Sequence, residues 1–82
     1  MYLIQIEKNA ERFLKKVSKK DLEIILNKIY SIRENPFRYL KKLEGSKLRR
    51  LRIMDYRAEI DVVVSGKRII ILRISHRKNI YN

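Results

Sequence analysis

The segment at positions 48–57, Leu-Arg-Arg-Leu-Arg-Ile-Met-Asp-Tyr-Arg, holds four arginines in ten residues, and it alternates. Leu51 and Ile53 share one parity; Arg50 and Arg52 share the other. Successive side chains of a β-strand point to opposite faces, so this pattern predicts a strand with an apolar inner face and a cationic outer one. The chain must therefore contain a sheet with one face covered and the other strongly positive.

The neighbouring runs agree. Tyr56, Ala58, Ile60, Val62 and Val64 alternate with Arg57, Glu59 and Asp61, which predicts a second strand over Tyr56–Val64. A third follows over Arg68–Ser75, with Ile70, Leu72 and Ile74 assigned to the inner face. Tyr2–Ile6 is short and β-branched and reads as a first strand. Between these lie two helical stripes. Ala10, Phe13, Leu14 and Val17 form one, with Asn9 as the expected N-cap. Leu22, Ile25, Leu26, Ile29 and Ile32 form the other, with Ser18 and Asp21 at capping-box spacing. Asn35-Pro36 closes it, because the residue before proline disfavours the helical region. Residues 37–46 read as a connector with a turn at Glu44-Gly45-Ser46. The expected order is β-α-α-β-β-β: an α+β fold with a helical hairpin on one face of a small, mostly antiparallel sheet. Eighty-two residues support one core, so residues 1–82 form a single domain.

Composition narrows the chemistry. With 45% apolar residues the chain is globular rather than disordered. It has no cysteine, hence no disulfide, thiolate metal site or cysteine nucleophile. No apolar run approaches the roughly 18 residues of a membrane span. The N-terminus carries no signal-peptide pattern. A cytoplasmic protein without a membrane partner is expected. The net charge is +12, and residues 41–57 and 67–78 together supply +10 of it. A basic field gathered in one half suits a polyanion, above all nucleic acid.

Register turns the arginines into a cluster. With a two-residue turn at Met54-Asp55, Ile53 faces Tyr56, Arg52 faces Arg57 and Arg50 faces Glu59. A three-residue loop at Ser65-Gly66-Lys67 places Arg73 opposite Glu59 and Ser75 opposite Arg57, with Arg77 one step further. Arg52, Arg57 and Arg77 then converge, flanked by an Arg50–Glu59–Arg73 network. In the same register Val63, Ile69 and Ile71 face outward as an apolar patch for a partner. Guanidinium groups donate paired hydrogen bonds to phosphate and stabilise the charge of a pentacoordinate transition state. Lys78 extends the basic surface as a substrate contact. Tyr81 beside it either stacks on a nucleobase or packs on the domain as a tail residue. Tyr56 has core parity and is structural. The one histidine, His76, falls on the inner parity and is better suited to a structural role than to catalysis. No Gly-rich phosphate loop and no metal-ligand spacing occur, so neither cofactor nor metal is expected.

The ordered set Asn35-Pro36, Leu40-Lys41-Lys42-Leu43-Glu44-Gly45, Leu48 to Arg57, Ile74-Ser75-His76-Arg77 and Tyr81 resembles the RelE/ParE superfamily of toxin–antitoxin toxins, and its RelE branch more than its ParE branch. The resemblance covers essentially the whole chain. It implies a ribosome-dependent messenger RNA endonuclease, silenced by a cognate acidic antitoxin. In such enzymes the ribose 2′-hydroxyl attacks the adjacent phosphate without a metal. By motif, Arg57 would contact the scissile phosphate, Arg77 would stabilise developing charge, and Tyr81 would orient the nucleotide. Arg50 and Arg52 match two basic positions that contribute to catalysis. Those positions are lysines in the best-known member, and arginine does not readily give up its proton as a general base must. Met54 stands where many relatives have glycine. Two other functions fit the same basic cluster: a ParE-like inhibitor of DNA gyrase, and a non-catalytic RNA- or ribosome-binding module.

Overall fold

The computed structural model describes residues 1–77. The chain runs β1 (Leu3–Ile6), α1 (Lys8–Leu14), α2 (Lys19–Ser31), α3 (Pro36–Tyr39), β2 (Lys41–Lys42), β3 (Arg49–Ile53), β4 (Tyr56–Val63) and β5 (Arg68–His76). The five strands form one sheet in the order β1-β5-β4-β3-β2. Only the β1–β5 pair is parallel. α1 lies on β5 and α2 on β3, so the hairpin covers one face and leaves the other open. This is the expected α+β architecture with two short additions.

The helix ends follow their local chemistry to different degrees. Ser18 caps α2, its Oγ accepting from the Asp21 backbone N–H at 3.1 Å. Such a cap is typically worth about 1 kcal/mol. α1 is different: Glu7, not Asn9, is its N-cap, and no side chain caps it. The helix starts earlier because the backbone is already anchored, Glu7 N–H donating to the Ile71 carbonyl at 2.9 Å. Ile25, Ile29 and Ile32 are fully buried, as the stripe predicts.

The expected connector over residues 37–46 instead holds α3 and β2. Pro36 sits at the start of α3, where its fixed φ suits a helix and its missing N–H costs nothing. β2 pairs Lys41 with Arg50 and Lys42 with Arg49. Buried Leu40 anchors the segment just before it.

The two hairpins behave unequally. At the first, Arg50↔Glu59, Arg52↔Arg57 and Ile53↔Tyr56 pair as predicted. At the second, the expected three-residue loop is a four-residue one, because Val63 pairs with Arg68. Lys67 closes it with φ 47°, its N–H donating to the Val64 carbonyl at 3.1 Å. The slip is then undone. Ile60 pairs with Ile71 while Glu59 pairs with Arg73, which leaves Leu72 as one extra residue on β5. Two residues opposing one is a β-bulge. Ile69 and Ile71 are therefore buried in the core, and Ile70 and Leu72 are half-buried. The predicted outward patch of Val63, Ile69 and Ile71 does not exist in that form. Val64 is likewise not core but 59% exposed in the loop.

Candidate functional site

The open face of the sheet carries the cluster. One rung across it reads Lys41, Arg50, Glu59, Arg73; the next reads Arg52, Arg57, Ser75. Neighbouring strands are about 4.8 Å apart and residues on one face repeat every ~6.6 Å along a strand, so both rungs fit within the reach of long side chains. Arg77 joins them through its backbone: its N–H donates to the Asp55 carbonyl at 2.7 Å, beside the β3–β4 turn. The structure thus brings Arg50, Arg52, Arg57, Arg73 and Arg77 to one end of the sheet. Arg52 and Arg77 are exposed and Arg57 is half-buried. Lys78 and Tyr81, the other two expected site residues, lie outside the described residues.

The expected three-member ion network reduces to a pair. Arg73 Nε stands 4.0 Å from Glu59 Oε1. No ion pair between Arg50 and Glu59 closes among the described residues. Arg50 instead faces Lys41 on its other side, so it adds to the positive field. Asp61 is engaged by Lys47 at 3.5 Å. Lys41 is thus a neighbour of the cluster that the sequence pattern did not single out, because a two-residue strand is too short to show a period.

Behind the cluster, Tyr56 ties the sheet to the helices. Its hydroxyl donates to Asp21 Oδ2 at 2.7 Å. Its ring makes edge contacts with Phe13 at 5.7 Å and His76 at 5.3 Å. The hydrogen bond to the Asp21 carboxylate holds the Tyr56 hydroxyl pKa above its ordinary value; burial and the charges of Asp21 and Asp55 push the same way. Tyr56 is structural, as expected, and it holds His76 at the end of β5 directly before Arg77. Arg49 is also structural in part, its guanidinium 4.8 Å from the Phe37 ring centre.

A groove of about 560 Å³ runs between α2 and the tip of β3. Ile24, Ile53 and Met54 give it apolar walls, and Lys28 and Arg52 stand on it. Among the described residues no three His, Cys, Asp or Glu side chains come together as metal ligands. What the site can do is bind a phosphodiester by several guanidinium groups and favour extra negative charge on it.

The model of the ParE toxin of the type II toxin–antitoxin system parDE matches residues 4–81. The chain belongs to the RelE/ParE superfamily of type II toxin–antitoxin toxins. Solved structures agree. The archaeal RelE–RelB complex from Pyrococcus horikoshii OT3 superposes with TM-score 0.80 at 28% identity, covering 93% of this chain and 94% of that one. The RelB–RelE antitoxin–toxin complex from Methanococcus jannaschii gives 0.75 at 29%, covering 94% of each chain. The chromosomal ParDE system of P. aeruginosa gives 0.77 at 19%, covering 93% and 96%, which shows the shared fold. A comparison with curated protein sequences gives no match.

Proposed function

We propose that this toxin is a metal-independent, ribosome-dependent endonuclease that cuts translated messenger RNA. The carrying observation is the Arg52–Arg57 rung with Arg77 bonded across the turn beside it. Like charges placed directly opposite destabilise a sheet. Their retention at one end of the open face, with a third arginine pinned alongside, suits a site built for a phosphate. In the reaction the ribose 2′-oxygen bonds to phosphorus and the bond from phosphorus to the 5′-oxygen breaks. The products are a 2′,3′-cyclic phosphate and a 5′-hydroxyl. Arg57 holds the scissile phosphate, Arg77 and Arg52 stabilise the phosphorane charge, and Tyr81 orients the nucleotide. Arg50, Arg73 and Lys78 hold flanking phosphates. None of the arginines takes the 2′-hydroxyl proton; it passes to solvent water, and the departing 5′-oxygen takes a proton from solvent in its turn. The ribosome supplies the messenger, the protein acts in the cytoplasm, and a cognate acidic antitoxin neutralises the positive face.

The matched family model favours a second reading, a ParE-like gyrase inhibitor on the same fold. Transcript-end mapping after induction separates the two. Cuts inside translated codons support the endonuclease; intact messages with blocked gyrase support the inhibitor. Arg57→Ala and Arg77→Ala should each relieve growth arrest, since losing one charge-stabilising donor costs about 10²–10³ in rate. Undiminished toxicity in both folded variants would sink the site assignment.

A further inference from the structure

The groove between α2 and the tip of β3 adjoins the arginine cluster through one residue, Arg52, which belongs to both. Its volume of about 560 Å³ is that of a small-molecule site. Ile24, Asn27 and Lys28 stand at i, i+3 and i+4 of α2, hence on one face of the helix, with Ile53 and Met54 across from them. Among the described residues no acidic side chain lines it. Lys28 Nζ is drawn to the rim, 5.6 Å from the Tyr39 ring centre. Ser31 Oγ donates back to the Lys28 carbonyl at 2.6 Å. The side-chain amide of Asn27, exposed, is the polar group that α2 presents to the groove.

The backbone of β3 supplies a second polar edge. Leu43 N–H donates to the Leu48 carbonyl at 3.0 Å, and Lys41 pairs with Arg50. In an antiparallel pair every second residue exchanges both bonds with its partner, so Leu48, Arg50 and Arg52 aim their N–H and C=O groups at the outer edge. β2 answers the first two. The position that would face Arg52 in this register is Tyr39, which α3 carries out of the sheet. Arg52 therefore offers one backbone donor and one acceptor beside the groove, while its guanidinium shares the open face with Arg57. A peptide strand needs a row of such groups, and here the row ends at once, since Met54 turns the chain with φ 53°. An unpaired nucleobase needs only one donor and one acceptor for its edge and apolar contact for its faces. A duplex keeps those edges paired.

We propose that the groove is a nucleobase subsite of the RNA-binding face. The base of one unpaired nucleotide lies between Ile24 and the Ile53–Met54 tip, with its edge on the Arg52 backbone and the Asn27 amide. The phosphate of that nucleotide meets the Arg52 and Arg57 guanidinium groups over the edge of β3. The subsite rests on the reading of the arginine cluster as an RNA site, and it makes Asn27 the residue that distinguishes one base from another.

The test uses the whole chain with its arginines intact and single-stranded oligoribonucleotides whose 2′-hydroxyls are methylated, so that they cannot be cut. Met1 and Met54 are the only methionines, so isotope labelling of their methyl groups gives two NMR signals. Met1 precedes β1, at the far edge of the sheet from β2 and β3, and is the internal control. The Met54 signal should move saturably under the ring current of a bound base while that of Met1 stays. A fully abasic strand of equal length and charge should bind about tenfold more weakly and leave Met54 unmoved. Homopolymers of the four bases should differ in affinity, and Asn27→Ala, an exposed helix position, should narrow those differences. Thermal melting confirms the fold of the variant. A Met54 signal unmoved by RNA, an equal shift with the abasic strand or a matched duplex, or base preferences intact in Asn27→Ala would each overturn the subsite. A base-dependent Met54 shift beside uncut transcripts in cells would keep the subsite and remove the endonuclease. Cut transcripts beside a silent Met54 would do the reverse.

Discussion

Replacing Arg52 by glutamine should make the protein more stable and less toxic at once. Arg52 is exposed and sits directly across from Arg57 on the open face. Opposed Cβ atoms lie about 5 Å apart, and two splayed guanidinium groups about 6 Å or more. In bulk-water dielectric that repulsion is about 0.7 kcal/mol. Screening with a Debye length of about 10 Å at 0.1 M salt leaves about 0.4 kcal/mol, and about 3 Å at 1 M leaves about 0.1 kcal/mol. Glutamine keeps the first two methylenes and a polar end, and loses the third methylene together with the charge. Arg52→Gln should therefore gain about 0.4 kcal/mol at 0.1 M salt, or about 2–3 °C in Tm. Arg52→Glu should gain about as much again, because repulsion becomes attraction.

The assay is thermal and urea unfolding of the three proteins at low and high salt, alongside growth arrest on induction. The diagnostic result is a stability gain that shrinks with salt and accompanies reduced toxicity. Stability and function then pull in opposite directions at one residue, as expected where a site holds charges together for a ligand. A lower Tm for Arg52→Gln, or a gain indifferent to salt, would refute the argument that this rung is strained by like charge.

Two further predictions concern the turn and the tyrosine. Met54 has φ 53°, a conformation that costs a side chain and suits glycine, at the first central position of the β3–β4 turn. Met54→Gly should stabilise by about 1 kcal/mol in urea unfolding, and a loss would mean the Met54 side chain packs usefully on the groove. Tyr56→Phe should cost about 1–2 kcal/mol, since it leaves the half-buried Asp21 carboxylate without its donor. The Tyr56 pKa is raised in the folded state, so this contribution is complete below the unfolded tyrosine pKa of about 10. It is lost as pH climbs through the higher folded value. Wild type should lose stability over that alkaline range and Tyr56→Phe should lose less; parallel curves for the two proteins contradict the assignment.

Whatever was legible in the sequence depended on alternation. Residues 50–53 and 55–60 alternate between charged and apolar, and a two-residue turn between them permits one register, so the Arg52–Arg57 rung is read directly. Ser18 could be read as a cap because its side chain makes the bond. The start of α1 could not, because a backbone bond from Glu7 to β5 fixes it. Nor could β2: Lys41 and Lys42 have no strand propensity of their own and are extended by pairing with Arg49 and Arg50. The Tyr56–Asp21 bond joins residues 35 apart in the chain, beyond any local pattern. The largest miss is Ile69-Ile70-Ile71-Leu72. Four apolar residues in a row have no period, so parity alone cannot assign their faces.

That run hides the feature on which the site depends. Ile69, Ile71, Arg73 and Ser75 all have odd numbers, and in a regular strand they would share a face. In the fold, Ile69 and Ile71 are buried in the core, while Arg73 pairs with Glu59 and Ser75 with Arg57 on the open face. The extra residue at Leu72 is what allows both. Before it, β5 turns its odd residues inward, where α1 covers the strand and β1 runs parallel beside it. After it, β5 turns Ile74 inward to the core and His76 toward the Tyr56 ring, which frees the odd positions for the arginine rungs. Bulges commonly re-aim side chains beside functional sites. An unbulged β5 in the four-residue loop register would put Leu72 opposite Glu59, in the place of Arg73. The guanidinium of residue 73 would then belong under the helices, uncompensated in the core. The four-residue loop shifts the register by one residue and the bulge shifts it back within the same strand. Alternation alone therefore places the arginine end of the sheet correctly and inverts its far end.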